Sequence, residues 1–214
     1  MALTFPYPLA FFSDVLRTKS ARVRLQRFDE ASGGGDGRTW TAELAPPLWV
    51  GDISLADRPA SLARELEAKI DGLDGSRGTF LFEDPGYRGP ASGSIGLGNV
   101  TINGIRSDRG AIGITGLPVG FVLTARDRLS ITYASGRVYY GTFLEGGTAG
   151  STGGLGQKEI RPYLPFGISN GAVIELVRPH FRAFVVPGGY TPFEYDLPHG
   201  EIARGGSIRI QQRP

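Results

Sequence analysis

The stretch Asp57–Pro85, DRPASLARELEAKIDGLDGSRGTFLFEDP, carries the clearest secondary-structure signals of the chain. Asp57 stands where a helix N-cap is expected, and Pro59 falls in the first turn, where its fixed φ suits a helix. Apolar residues then recur at spacings of four, four and three, which places them on one helix face: Leu62, Leu66, Ile70 and Leu73. The stretch therefore predicts one helix over 58–72 that packs on a core and is followed by a strand.

The strand after this helix ends in two adjacent carboxylates, Glu83 and Asp84. Two carboxylates that share a cleft are typical of glycosidases, but neighbouring side chains of an extended strand point to opposite faces. The two groups are therefore not expected to meet one substrate. We interpret 78–90, GTFLFEDPGYRGP, as scaffold.

The composition predicts a mainly β (α+β) fold. The 214 residues include 33 glycines and 15 prolines, which indicates many turns between short strands. The alternating run 22–28 is typical of a half-buried strand, and 39–44 and 48–55 are further strands. The polar segment 28–38 between them, FDEASGGGDGR, is too long for a tight turn, so it is expected to be a mobile loop or a projecting arm.

The second half predicts a small barrel or sandwich of short strands. Asn103-Gly104 is typical of a hairpin turn between 99–102 and a strand from Ile105. The glycine-rich segment 145–157 is expected to be a flexible loop. Further strands are predicted at 111–115, 120–125, 128–133, 137–144, 158–164, 172–177, 181–186 and 207–212.

Several classes of site are excluded by residue content. The chain has no cysteine, which rules out disulfides, iron–sulfur clusters and thiolate zinc sites. The net charge of +2 is interspersed along the sequence, unlike the basic block of a nucleic-acid footprint. Neither a signal peptide nor a run of ~20 apolar residues is recognisable, so we expect a soluble protein without a membrane partner.

The sequence predicts no enzyme. The two histidines, His180 and His199, lie outside metal-ligand patterns, and no serine stands in a nucleophile elbow. The glycines of 146–156 lack the lysine and the following helix of a phosphate-binding loop. A hydrolase would have to recruit dispersed carboxylates such as Asp127 and Glu194, which no motif marks. We therefore expect no catalytic, cofactor-binding or metal-binding residues and no cofactor.

Four aromatic residues of the second half leave one binding function open: Tyr133, Tyr139, Tyr140 and Phe143. Exposed on one barrel face, such rings stack on sugars or bases. Tyr139 and Tyr140 are consecutive, so at most one of them joins such a face. A position in a core or at a protein interface is the stronger expectation.

Two blocks in this order resemble the distal tail proteins of long, flexible-tailed bacteriophages and gene-transfer-agent-like particles. The first is the helix followed by GTFLFEDP, at 57–85. The second block resembles the later half of the same proteins. It consists of the segments Gly120–Leu123, Asp127–Ile131, Arg161–Pro165 and Gly171–Pro179. The resemblance as a whole spans roughly 20–186.

The resemblance implies a tail-tube-like β-sandwich or split barrel with one flanking helix, and an inserted small OB-like β-barrel. It places the ring-forming domain at 1–91 and 172–214 and the inserted barrel at 92–171, with 78–90 as the joint between the two. Six copies of such proteins form a ring at the distal end of the tail.

The implied function is that of a virion structural protein at the tail tip or baseplate. Its expected partners are further copies of itself, the tail tube protein, tail-tip hub proteins and the tape measure protein, with DNA only passing through the lumen. The expected location is the virion, assembled in the host cytoplasm. The alternatives are a carbohydrate- or single-strand-binding OB-like module of the tail tip and, with less support, a cell-wall hydrolase.

Overall fold

The computed structural model describes residues 4–93, 96–134, 136–196 and 201–214. The predicted mainly β class is confirmed: 49% of the chain is strand, in several antiparallel sheets, with one α-helix in the described part. The helix is α1, Ala60–Asp71, and a 3-10 turn spans Ser13–Val15. The strands in chain order are β1 Thr18–Gly33, β2 Thr39–Leu55, β3 Arg58–Pro59, β4 Phe80–Glu83, β5 Thr101–Ile105, β6 Ala111–Thr115, β7 Val122–Leu123, β8 Arg128–Tyr133, β9 Arg137–Phe143, β10 Gly147–Thr148, β11 Leu155–Arg161, β12 His180–Thr191, β13 Glu194–Tyr195, β14 Ile202–Arg204 and β15 Ser207–Gln212.

The chain divides into two compact units. The half-barrel unit comprises Met1–Val15, Thr79–Ala183 and Arg213–Pro214, and the hairpin unit comprises Leu16–Gly78 and Phe184–Gln212. The segments 79–91 and 172–183 thus pack with the half-barrel. The domain division implied by the resemblance, at 91/92 and 171/172, stays a prediction.

The hairpin unit is built on the strand order β1-β2-β15-β12, with a second sheet of order β13-β14-β3. Strands β1 and β15 both pair antiparallel with β2. Alternate residues of β2 and β15 are buried, and so is one side of α1. The buried apolar residues of this unit are Leu16, Trp49, Val50, Ile53, Leu55, Ala60, Ala63, Leu66, Ile70, Leu73, Val185, Phe193, Ala203, Ile208 and Ile210.

Two details of the helix prediction are wrong. Leu62 is 38% exposed, because the buried face is centred on Ala63 and Leu66 and leaves Leu62 at its edge. Asp57 does not cap the helix: strand β3 comes between them, and the amide of Ala60 donates to the carbonyl of Glu201 at 2.9 Å. A backbone acceptor therefore satisfies the amide that a capping side chain would have bound.

The half-barrel unit is a curled sheet with the strand order β5-β6-β11-β9-β8. The extended segment 172–176 reaches both edges of this sheet, through bridges from Val173 to Thr101 on β5 and from Glu175 to Ser130 on β8. The predicted strand at 172–177 is therefore present only as isolated bridges. The enclosed core contains Val100, Ile102, Ile112, Ile114, Leu117, Phe121, Leu123, Leu129, Ile131, Tyr139, Phe143, Ala149, Leu155, Ile160, Leu164, Ile168, Ile174 and Leu176.

The predicted hairpin turn at Asn103-Gly104 is wrong. Strand β5 runs through both residues, with an irregular register between Ile102 and Gly104. Gly113 lies opposite and leaves room for the Asn103 side chain, with which a Cβ atom would collide. Asparagine and glycine suit a β-bulge as well as a turn. The chain reverses five residues later instead, at 106–110, where Asp108 Oδ1 accepts the Gly110 amide at 2.9 Å.

The glycine-rich segment 145–157, expected to be flexible, packs closely against 117–123. The Leu117 amide donates to Gly153 at 3.1 Å and the Gly120 amide to Ala149 at 3.0 Å, and strand β10 pairs with β7. Gly153 has φ +70, and a Cβ atom there would collide with the Leu117 carbonyl oxygen. Here glycine permits close approach of two backbone segments rather than motion.

No helix of the described residues is long and apolar enough to cross a bilayer.

Candidate interaction surfaces

The ends of β1 and β2 form an exposed two-stranded arm, which we define as residues 27–46. Its register runs from Phe28 opposite Ala45 to Gly33 opposite Thr39. The pairing of β2 with β15 ends at Val50, so within the described residues the arm strands pair only with each other. Each arm strand is about 20 Å long at 3.3 Å per residue. Of its residues, only Phe28 is even partly buried.

The arm exposes large apolar side chains. Trp40 is 69% exposed and Leu44 is 67% exposed; alternation places Trp40 and Ala42 on one face, and Leu44 lies beside them at the register shift between Glu43 and Ala45. An exposed tryptophan or leucine on a two-stranded ribbon adds little to the stability of the single chain. Aromatic residues are, however, enriched where proteins bind one another. We define Trp40, Ala42 and Leu44 as the apolar face of the arm.

The opposite face of the arm carries a pair of carboxylates. Asp29 and Glu43 are direct cross-strand partners. Both are exposed, and no ion pair to either is present in the described part of the chain. Like charges in this position repel and destabilise a two-stranded sheet. We define Asp29 and Glu43 as the acidic face of the arm.

The solvent side of the sheet in the same unit carries three arginines around one carboxylate. Asp52 Oδ2 accepts Arg24 Nη1 at 2.8 Å, and Asp52 Oδ1 accepts Arg209 Nε at 2.9 Å. The hydrogen bond from Arg24 is the largest cause of a lowered Asp52 pKa. Arg22 is the register partner of Asp52 and is exposed, without an ion pair among the described residues.

Arg22 and Arg209 border a groove of about 600 Å³ on this unit. Three serines cross it in register on β1, β2 and β15: Ser20 and Ser207 both pair with Ser54. Strand β12 forms the far wall through 186–189. Guanidinium groups, hydroxyl groups and an open shape suit an anionic protein segment better than an apolar small molecule. We call it the arginine groove.

A third surface lies on the half-barrel unit, where two exposed aromatic rings lie next to arginines. Tyr163 is 55% exposed and Phe166 is 88% exposed. The Arg161 guanidinium lies 4.6 Å from the Tyr163 ring centre, and that of Arg109 lies 5.2 Å from the Phe166 ring centre. Arg109 also donates to the carbonyls of 164, 165 and 168 at 2.6–2.8 Å, which holds the loop beneath Phe166 in place.

The residues weighed for catalysis in the half-barrel unit have separate partners. Glu83 accepts Arg178 at the surface, whereas Asp84 accepts Arg128 at 3.0 Å inside the half-barrel unit. The different partners agree with the prediction that these side chains point apart. Asp127 accepts the Thr124 amide at 2.7 Å, and burial raises its pKa. Glu194 belongs to the other unit, on β13.

The histidines add no metal site. His180 is half-buried, and its Nδ1 lies 3.0 Å from the Arg178 carbonyl oxygen. His199 lies outside the described residues. Within the described ranges, no group of three or more His, Asp or Glu side chains is placed to hold a metal ion.

The four aromatics weighed as a stacking surface are mainly interior. Tyr139 and Phe143 lie in the half-barrel core, with Tyr133 packed against it. Tyr140 is fully buried with its ring 4.9 Å from Phe181, which agrees with the expectation that it points away from Tyr139. The exposed rings, Tyr163 and Phe166, were not singled out from the sequence.

The apolar face of the arm and the arginine groove were also missed. Their signals were the alternation in TWTAEL at 39–44 and the outward arginines of RVRL at 22–25. That Asp29 lies opposite Glu43, and Asp52 opposite Arg22, follows only from the strand register. In comparisons with models of known protein families and with curated proteins, no match to this chain was found.

Proposed function

We propose that this chain is a structural protein of a bacteriophage tail tip, which assembles through its β1–β2 arm into a closed, six-membered ring between the tail tube and the hub proteins. The observation that carries the proposal is the arm itself, a long ordered hairpin with unpaired edges and an exposed tryptophan. The tail-tip setting and the number six rest on the resemblance of 57–85 and 120–179 to distal tail proteins.

Assembly supplies what the arm lacks in the single chain. An exposed strand edge invites pairing with a further chain. Covering the exposed part of Trp40, 69% of the residue, removes about 150 Å² from water, or about 3–4 kcal/mol per interface. Binding of an arm to a different surface of the next copy is heterologous, and heterologous contacts generate rings when the rotation closes.

The test is the mass of the assembly. Size-exclusion chromatography with light scattering, followed by negative-stain electron microscopy, is expected to show six-membered rings for the unmodified chain. Trp40→Asp and Leu44→Asp are expected to give monomers. Val119→Asp is the matched control, because Val119 is also exposed, at 70%, but lies on the half-barrel unit. Monomers at all concentrations for the unmodified chain, and in tail particles, would contradict the proposal.

One observation favours a second function for the half-barrel unit, that of a tail-tip module which binds oligosaccharide or single-stranded nucleic acid. The exposed rings of Tyr163 and Phe166, each beside an arginine, have the chemistry of a stacking platform. A glycan array and a single-strand binding titration test it, with Phe166→Ala as the variant expected to lose binding. Two blank assays would remove this alternative.

A further inference from the structure

The acidic face of the arm is a source of repulsion that the single chain does not relieve. Asp29 and Glu43 are held opposite each other by the register of β1 and β2. In the described part of the chain, the side chains of Asp29 and Glu43 are exposed and take part in no ion pair. Repulsion of this kind favours binding of a cationic group, which converts a repulsive pair into two attractive ones.

The arginine groove has the opposite imbalance. Asp52 is the one carboxylate shared by Arg24 and Arg209, and Arg22 adds a third positive charge beside it. All three guanidinium groups are at least half exposed or on exposed residues, so their remaining donors face solvent. Each guanidinium has five N–H donors, and carboxylates match its planar geometry.

We propose that the acidic face of the arm of one copy docks in the arginine groove of a second copy. The inference deepens the proposed ring function and rests on it, because it names the surface that accepts the arm. Asp29 and Glu43 of the donor would pair with Arg22 and Arg209 of the acceptor, and the serines of the groove would donate to carboxylate oxygens left unpaired.

The geometry of β1 makes the contact one between copies. Arg22 and Arg24 lie on the same strand as Asp29, five to seven residues before it, and β1 runs on continuously into the arm. An arm strand of about 20 Å that leads away from the groove does not fold back onto it without breaking the β1–β2 pairing. The occupant of the groove is therefore the arm of another chain.

The two faces of the arm then have different roles. The apolar face with Trp40 supplies most of the burial, and the acidic face selects the groove and the orientation of the donor. Exposed ion pairs weaken as salt is added, whereas apolar burial does not. Ring assembly is therefore expected to shift to higher protein concentration between 50 mM and 500 mM sodium chloride.

The experiment is a charge exchange within the full chain. The groove variant is Arg22→Glu with Arg209→Glu, and the arm variant is Asp29→Arg with Glu43→Arg. Each alone is expected to raise the protein concentration at half-assembly by at least about tenfold. The chain that carries all four substitutions is expected to return to within about threefold of the unmodified value, because the exchanged charges attract again.

Two controls keep the outcome readable. The control variant, Arg88→Glu with Arg137→Glu, makes the same change of net charge as the groove variant, but at exposed positions of the half-barrel unit. It is expected to assemble normally. Circular dichroism melting of each variant identifies one that fails to fold. For that case, the milder pair Arg22→Gln with Arg209→Gln is expected to lose assembly about threefold or more at low salt.

The failures of the two proposals are distinguishable. Suppose that the unmodified chain forms rings and that Trp40→Asp abolishes them. If the folded groove and arm variants then still assemble at the normal protein concentration, the arm proposal stands and the groove inference is wrong. Loss of assembly in both reversed variants without recovery in the combined chain also overturns the inference. If the unmodified chain never assembles, both proposals are wrong.

Discussion

Replacing Asp84 with alanine is expected to lower the free energy of unfolding of the half-barrel unit by about 3–5 kcal/mol, because the buried Arg128 guanidinium loses its carboxylate. Asp84 Oδ2 accepts Arg128 Nη2 at 3.0 Å, and both side chains are 9% exposed. Asp84 Oδ1 also accepts the Gly86 amide at 2.9 Å, a bond worth about 1 kcal/mol.

The neighbouring carboxylate provides the matched control. Glu83 pairs with Arg178, whose side chain is 51% exposed and also pairs with Asp14. Solvent screens that pair, and Asp14 remains after substitution, so Glu83→Ala is expected to cost no more than about 1 kcal/mol. Two adjacent acids of the same stretch should thus differ several-fold in their effect on stability.

Hydrogen exchange of the β8 and β9 amides is the suitable assay, because it reports unfolding of the half-barrel unit directly. Tryptophan fluorescence in urea reports the other unit, since Trp40 and Trp49 both belong to the hairpin unit. A cost below about 1 kcal/mol for Asp84→Ala, or one equal to that of Glu83→Ala, would refute the reasoning. The double variant Asp84→Leu with Arg128→Met should recover most of the loss.

Three further outcomes follow from single buried contacts. Burial raises the Asp127 pKa, so the folded state holds this proton more tightly than the unfolded state. The free energy of unfolding should therefore fall as pH rises from about 4 through the folded pKa. Urea unfolding at several pH values should show a flatter dependence on pH for Asp127→Asn. Arg58 is buried and donates to the carbonyls of Leu16, Arg17 and Ala56. Lysine offers one ammonium group in place of the planar guanidinium. Arg58→Lys should therefore lower the free energy of unfolding of the hairpin unit by about 1–3 kcal/mol, measured by tryptophan fluorescence in urea. Gly153→Ala should cost about 1–3 kcal/mol by hydrogen exchange of the half-barrel unit, whereas Gly156→Ala, with open space around it, should cost less than 1 kcal/mol.

Local patterns predicted most of the elements correctly. The helix, the alternating strand at 22–28 and the strands around 111–115, 128–133, 137–144 and 207–212 were all recognised, because each has a periodicity that depends on its own residues. Adjacent Glu83 and Asp84 were correctly separated for the same reason. The class of the fold follows from these signals alone.

The errors arose where a local signal competes with a distant partner. Asn103-Gly104 has the composition of a turn, but Gly113 on the next strand accommodates it as a bulge. The glycines of 145–157 resemble a flexible linker in composition, and only their contacts with 117–123 show why glycine is needed there. The intrinsic conformational preference of these residues is therefore a weaker signal than the chain segment that packs against them in the folded protein.

The candidate surfaces were the least predictable part. An exposed tryptophan cannot be told from a buried one by composition, and Trp40 and Trp49 lie in strand-like runs of similar character. Likewise, the opposition of Asp29 to Glu43 and of Arg22 to Asp52 depends on strand register, which two irregularities shift between Gln26 and Asp29. One residue of slip would exchange the two faces of the arm.

The position of β15 bears on how the chain is made. This last strand lies between β2 and β12 in the hairpin unit, so the sheet that supports the arm lacks an inner strand until Ser207–Gln212 has left the ribosome. The core of the half-barrel unit, by contrast, comes from the continuous segment 79–183 and is complete about thirty residues earlier in synthesis. A chain that lacks Ser207–Gln212 therefore holds neither a finished arm base nor a finished groove.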